Sequence, residues 1–549
     1  MMDLNGLFPY KFDKKYSRPV AYFSMEFAVD QALKIYSGGL GFLAGSHLRG
    51  AYELKQNFIG IGILWKYGYY DQGRNMDGTM KPSYVEKNYS FLDDTGIVFP
   101  IRINNHEVKV KAMLLKPDVF NTAPLFLLTT NLPENDHLAQ TITHRLYDSH
   151  ESARIAQSTL LGYGGAKLLD ILKRETEVYH LNEGHALPLC FYLWEKHKSI
   201  DEVRKRVAFT THTPELAGNE EHDAGRLEVM SFFGSIPRSD YQALIEPGSA
   251  KLNYTLAALR MAKIANGVSR LHGKVANEMW SSYSRICEIM SITNAQNYTY
   301  WKDHEMDSAF EENDPKRGLE RKREMKRALF KVLADQSGKI FRDDVLTVVW
   351  ARRFAGYKRA NLLLNDFNRF VRLVSNEKFP VQVIWAGKPY PEDTGSIEVF
   401  NDIHSKVRSM PNCAILTGYE LGLSALLKGG SDVWLNNPKI YREASGTSGM
   451  TAAMKGSVNL SIPDGWVPEF ARHGENCYCV EAADPAMSDL EKNKLEASRI
   501  YDVLEKELIP TYYNTPEKWF RIMCAAWADV RHAFDANRMA REYYEVIYK

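Results

Sequence analysis

The 549-residue chain lacks net charge, with 69 Lys and Arg against 68 Asp and Glu. No overall field draws it to nucleic acid or to an anionic membrane, so any anion site has to be local. It also lacks long apolar runs. Nothing reaches the roughly 18 residues of a membrane span, and the opening MMDLNGLFPYKFDKKYSRPV has no apolar signal-peptide core. A soluble cytoplasmic protein without membrane or nucleic-acid partners is expected. Cysteine is scarce: Cys190, Cys287, Cys413, Cys477, Cys479 and Cys524 are scattered, with one Cys-x-Cys and no Cys-x-x-Cys. That pattern argues against a disulfide framework and a zinc site, and it fits a reducing compartment. The histidines lack the spacing of a metal motif, so no metal is expected. Internal repeats and low-complexity tracts are absent too.

What the chain has in quantity is apolar material, 45% of residues, enough at this length for more than one core. Aromatic residues make up 12%, many beside glycine (KYGYYDQG, LLGYGG, FAGYKR), which suits a carbohydrate cleft and an ordinary large core alike. Short β-branched runs alternate with helical patterns: PVAYFSMEF, LGFLAGSHLRGAYELKQ and FIGIGILW early, VRKRVAFTT later, then VLTVVWARR, KRANLLLNDFNRFVRLV and VQVIWAG. This βαβ rhythm predicts parallel sheets covered by helices, in both halves. The charged stretch WKDHEMDSAFEENDPKRGLERKREMKRAL between the halves reads as a loop followed by a solvated helix. The expected division is an N-terminal Rossmann-like domain at 1–285, a second at 286–525, and a C-terminal helix at 526–549 packing back on the first. Doubly wound sheets bind ligands at the carboxyl ends of their strands.

Three places carry chemistry. VVWARRFAGYKRANLLLN reads as strand, loop and helix, setting Arg352, Arg353 and Lys358 at the start of that helix. This is either a phosphate site or a solvated basic turn. EASGTSGMTAAMKG follows the strand SDVWLN and offers Glu443 as an acceptor for sugar hydroxyls, with Ser445, Gly446 and Thr447 in a small-residue loop; SGGLG (37–41) has the same shape. Each loop alone could be a tight turn. FTTHTPELAGNEEHD ends a strand at His212, and HLNEGHA (180–186) is another polar strand end. Histidines so placed serve as ligand contacts or as satisfied core groups.

Together YFSMEF, SGGLG, FTTHTP, ANGVSRLH, ITN, RRFAGYKR, AGK and EASGTSGM resemble the glycogen and α-glucan phosphorylases in order and spacing, from about residue 18 to beyond 480. The resemblance implies an α/β GT-B fold, two Rossmann-like doubly wound domains facing across an active-site cleft. It implies retaining transfer of glucosyl units on α-1,4-glucans, with an α-glucan or maltooligosaccharide and a phosphate-linked glucose donor as partners, and it allows a homodimer. The chain resembles a catalytic core without the regulatory extension of animal phosphorylases. Carried over residue by residue, Arg353 and Lys358 match the substrate-phosphate ligands, Arg352 a neighbouring basic position and Tyr357 the tyrosine of that motif. Glu443 matches the carboxylate on the sugar hydroxyls, with Ser445, Gly446 and Thr447 as its loop. His212 and Asn294 match sugar contacts, and Gly38 and Gly39 match the glycine loop at the phosphate. His212, Arg353, Lys358 and Glu443 are the expected catalytic set.

One position departs. The family's lysine that forms a Schiff base with pyridoxal phosphate falls eight residues after Glu443, at Thr451, which has no amine. Lys455 lies one helical turn on. ITNAQN also lacks the family's glycine after ITN. Glycogen synthases and related nucleotide-sugar transferases carry a Glu-x7-Glu pattern whose second Glu also falls at 451, so Thr451 is neither the cofactor lysine nor the ribose carboxylate. The leading expectation is a retaining glucosyltransferase without pyridoxal phosphate that extends an α-glucan from a nucleoside diphosphate glucose. A phosphorylase holding the cofactor on Lys455 or another lysine, and an inactive glucan-binding homologue, are the alternatives.

Overall fold

The computed structural model describes residues 6–549. The chain forms two compact units, one comprising the residues up to Tyr70, Tyr84–Asn297 and Ala536–Lys549, the other Asp71–Ser83 and Tyr298–Asp535.

The first unit is built on β1 (Val20–Phe23) and β2 (Phe58–Ile63). After the β3–β4 hairpin (Asp71–Arg74, Met80–Ser83), which belongs to the other unit, come β5 (Asp93–Ile103), β6 (His106–Leu115), β7 (Leu125–Thr129), β8 (Val178–Asn182) and β9 (Val207–Thr210). A small ribbon, β10–β11 (Glu221–Asp223, Lys251–Asn253), precedes β12 (Ile264–Gly267) and β13 (Glu288–Ser291). The sheet order is β13-β12-β9-β8-β1-β2-β7-β6-β5, parallel from β13 to β7 with an antiparallel edge. β1, β2 and β8 are buried at every residue, as strands covered on both faces must be, whereas β5 alternates toward solvent. From β1 the chain builds outward in both directions. The reversal opens a crevice at the carboxyl ends of β1 and β8.

The second unit carries β14 (Leu346–Ala351), β15 (Val381–Ala386), β16 (Cys413–Leu416), β17 (Val433–Asn436), β18 (Val458–Ser461) and β19 (Cys477–Cys479), all parallel in the order β16-β15-β14-β17-β18-β19. Its reversal lies between β14 and β17. The expected fold class, two doubly wound α/β layers, is what the chain adopts.

Four expectations differ in detail. The first unit runs through Asn297, past the expected 285, because β13 pairs with β12 as the sheet's last strand. Within the expected tail, 526–535 stays with the second unit, and the return to the first begins at Ala536, whose carbonyl packs against Gly50. The β3–β4 hairpin sits in the second unit because Gln72 clasps it there: Gln72 Nε2 donates to Gly387 O (2.9 Å) and Gly418 N donates to Gln72 Oε1 (3.0 Å). The charged stretch is also more ordered than its composition suggests. His304–Glu311 and Pro315–Ser337 are both helices, and the second buries Met325, Leu329 and Leu333 together with Lys322 and Lys326. Lys326 is paired with Asp432 at 2.6 Å, and Lys322 Nζ donates to Gly429 O and Ser457 Oγ. The two lysines are inside because each has a polar partner waiting.

Candidate functional site

The crevice of the first unit is lined by the loops after β1, β8 and β9. Glu26, buried just past β1, gathers the SGGLG loop: it accepts from Ser37 N (2.6 Å), Ser37 Oγ, Gly38 N (3.1 Å) and Tyr147 Oη (2.8 Å). One amide of the expected phosphate loop is thereby committed to a protein carboxylate. Gly41 and Gly45 are glycine because the packing leaves no room for a β-carbon, whereas one on Gly38 or Gly39 would meet no atom within 4 Å. The glycines at 38 and 39 answer to open space, which is the form of a cradle.

At the end of β8 stands Asn182, and after it Glu183 with φ 71° and ψ 170°, a backbone region that costs a non-glycine residue about 1–3 kcal/mol. Glu183 Oε2 accepts from His212 N at 2.7 Å and Asn182 Oδ1 accepts from the His212 ring at Nε2, 2.7 Å. That bond fixes Nε2 as protonated and leaves Nδ1 as an acceptor. Burial pulls His212 down to about 3, so the ring is neutral, and burial pushes the Glu183 carboxyl up to about 7 against the donors from His212, Thr213 and Gly184. His185 lies beside Tyr147, ring centroids 5.7 Å apart, and its Nδ1 is a buried atom without a hydrogen bond. Asn294, after β13, is buried with Oδ1 likewise unsatisfied. Glu26, Tyr147, Asn182, Glu183 and His185 were not singled out from the sequence, although HLNEGHA marks three of them as polar residues ending a buried strand.

The crevice of the second unit holds the basic loop and the small-residue loop, one after β14 and one after β17. Lys358 Nζ donates to Glu443 Oε2 at 2.6 Å, and Arg352 Nη1 stands 3.8 Å from the same oxygen. Burial opposes ionisation of Glu443, but Lys358, Arg352 and Arg353 outweigh it and hold the carboxyl below its ordinary value. Arg352 is buried over Trp350, Arg353 is exposed, and Lys358 Nζ lies 5.0 Å from the Tyr357 ring centroid. Three cations around one carboxylate leave a local excess of positive charge, which is what a phosphoryl group requires. The expected α-helix at this basic loop is absent. Gly356–Lys358 is a single 3-10 turn, Arg359 takes φ 51°, Leu362–Asp366 is again 3-10, and α-helix begins only at Phe367. Arg359 breaks the run because its guanidinium turns inward to Asn437 O, Pro438 O and Glu496. The positive charge of this loop comes from side chains and not from a helix dipole.

The second loop is set by Asp464, which the sequence reading missed. Asp464 Oδ2 accepts from Arg442 N (3.1 Å) and Glu443 N (2.9 Å), Oδ1 accepts from Gly465 N, and burial raises the carboxyl to about 6. Gly446 follows with φ 84°, and Ser445 Oγ is buried without a hydrogen bond. Thr447 then begins the Ser448–Met454 helix.

Position 451 sits inside that helix, 1% exposed, with Thr451 Oγ1 donating to Ser448 O at 3.1 Å. The position offers no amine to an aldehyde. Lys455, one turn on, has Asp303, Arg321 and Asp307 as its charged neighbours, and burial pulls its ammonium below the ordinary value. Position 451 itself therefore offers no attachment point for a pyridoxal phosphate.

The family model described as carbohydrate phosphorylase matches residues 243–508. Over 97% of its length the chain is 31% identical to the maltodextrin phosphorylase of Thermococcus litoralis, of which it covers 71%. It is 31% identical to the glycogen phosphorylase of Aquifex aeolicus, covering 87% of that protein, and 47% identical to an uncharacterised protein of Methanocaldococcus jannaschii along that protein's whole length.

Proposed function

Because the chain belongs to the carbohydrate phosphorylase family, we propose that it transfers glucosyl units to and from an α-1,4-glucan with retention, uses a nucleoside diphosphate glucose as donor, and works without pyridoxal phosphate. The observation that carries this reading is Thr451, buried where the family resemblance puts the cofactor lysine. In that resemblance the cofactor phosphate assists the substrate phosphate. A chain without the lysine has to obtain the second phosphoryl group elsewhere, and a diphosphate brings both in one molecule.

In the second unit Arg352, Arg353 and Lys358 neutralise the departing diphosphate, worth most in a buried crevice where the cations are already in place. Glu443, ionised and fixed by Asp464, accepts from sugar hydroxyls, and Ser445 Oγ has bonding capacity to spare. In the first unit neutral His212 presents a fixed tautomer, and the unsatisfied Asn294 Oδ1 is an acceptor for a sugar hydroxyl. The leaving phosphate takes the acceptor's proton, so no further base is required.

The named phosphorylase relatives favour a second reading, in which inorganic phosphate or glucose 1-phosphate meets the same cations. Calorimetric titration separates the two. Under the first reading UDP, ADP or GDP binds at least about tenfold more tightly than inorganic phosphate, and Lys358→Met weakens it by about 2 kcal/mol or more. Equal or tighter binding of inorganic phosphate would select the second.

A further inference from the structure

The second unit has an interior amine that the catalytic reading does not use. Lys428 belongs to the Leu421–Gly430 helix and is 0% exposed. Its Nζ lies 3.8 Å from the centroid of the Trp301 ring. Both the helix of Lys428 and the Tyr298–Trp301 helix pack against the Ser448–Met454 helix, the one that contains Thr451. The backbone ties them further: Lys428 O accepts from Ser457 Oγ at 2.6 Å, and Lys322 Nζ bridges Gly429 O and Lys455 O.

A lysine at a wholly buried position is an expensive choice, since the amine is taken from water and a leucine or methionine would pack there without that cost. Burial, together with the charge of Lys455, holds the Lys428 ammonium well below its ordinary value. The Ser448–Met454 helix is buried from Gly449 to Met454, and close-packed interiors leave little volume unfilled. A pyridoxal ring attached at 451 would enter this same packed interior, against which the helix of Lys428 and the helix of Trp301 both lie.

We propose that Lys428 takes the place of the cofactor: its side chain, laid on Trp301, fills interior volume beside the Ser448–Met454 helix that a pyridoxal joined at position 451 would need. This rests on the reading that the second unit works without pyridoxal. Two changes then separate the chain from a cofactor-bearing relative. The attachment point is lost at 451, and the vacated space is closed by a side chain from the neighbouring helix. Restoring the first alone is insufficient.

The test uses full-length protein as wild type, Thr451→Lys, Lys428→Ala and the Thr451→Lys/Lys428→Ala double variant. Each is incubated with pyridoxal phosphate and reduced with borohydride, and the modified residue and its occupancy are read by peptide mass spectrometry. Wild type is expected to show no pyridoxal on Lys428 or Lys455. Thr451→Lys is expected to load poorly at 451, and the double variant at least about tenfold better at the same pyridoxal concentration. Melting curves confirm that each variant is folded, with Lys428→Ser replacing Lys428→Ala if the alanine variant is not. Full loading of Thr451→Lys by itself, or a folded double variant no better than the single, overturns the proposal while leaving the cofactor-free reading standing. Pyridoxal trapped on Lys428 or Lys455 of the wild type overturns both.

Discussion

Lys358 Nζ and Glu443 Oε2 are 2.6 Å apart, so the expected phosphate cation and the expected sugar carboxylate neutralise one another in the second unit. Both side chains are nearly buried, 11% and 12% exposed. Removing one partner strands the other. Lys358→Met is expected to destabilise the protein by about 3–5 kcal/mol, and the Lys358→Met/Glu443→Gln double variant to regain most of that loss while remaining inactive. Denaturant melts of the two singles and the double close the cycle; additive losses would show that the pair is not coupled.

Asp464 acts on Glu443 through the backbone. Its carboxylate holds the amides of Arg442 and Glu443, and Asp464→Asn removes the charge from these bonds. The loop is expected to loosen, lowering transfer by about tenfold to a hundredfold through KM for the donor more than through stability. Steady-state kinetics with varied donor check this. An unchanged KM with a large fall in melting temperature would make Asp464 merely structural.

Acid should unfold the first unit through histidines that the fold holds neutral. Burial lowers His47 and His212 to about 3 and His272 to about 4, each below its unfolded value, so the unfolded chain binds protons that the folded one refuses. Stability contributed by keeping these rings neutral is present above the unfolded value of about 6.5 and is lost as pH falls below it. His47, 1% exposed and stacked on Tyr543, accounts for about 2 kcal/mol of loss at pH 5. His47→Phe is expected to lessen the fall in stability between pH 7 and pH 5 by that amount, as measured by urea melts.

Glu183 carries the opposite sign. Its folded value of about 7 stands above the ordinary carboxylate value, so its contribution favours the fold at low pH and is lost as pH rises toward and through 7. Glu183→Gln is expected to gain on the wild type by about 1–3 kcal/mol between pH 5 and pH 8. Melting temperatures that run parallel across that range would place the carboxyl in contact with water and remove the effect.

Much of this was legible in the residues. Continuous apolar strands with helical runs between them marked the doubly wound class, and Arg352, Lys358 and Glu443, read from two separate motifs, meet because both loops end strands at the sheet's reversal. What stayed hidden depends on contacts between distant segments. The Gln72 hairpin joins the second unit through Gly387 and Gly418, and Asp464 reaches back to the loop that carries Glu443. Lys322 and Lys326 read as solvated charges, since nothing local announces that Asp432 or a set of buried carbonyls will meet them. Glu183 betrays itself only by a backbone angle. Its letter in HLNEGHA gives no sign of that strain.

The most direct measurement is chain-length analysis of a maltooligosaccharide incubated with the purified protein and, in parallel, glucose 1-phosphate, UDP-glucose, ADP-glucose and GDP-glucose, with and without pyridoxal phosphate. Extension from a nucleoside diphosphate glucose, unchanged by pyridoxal phosphate, is the expected result. Extension from glucose 1-phosphate that depends on pyridoxal phosphate would contradict it.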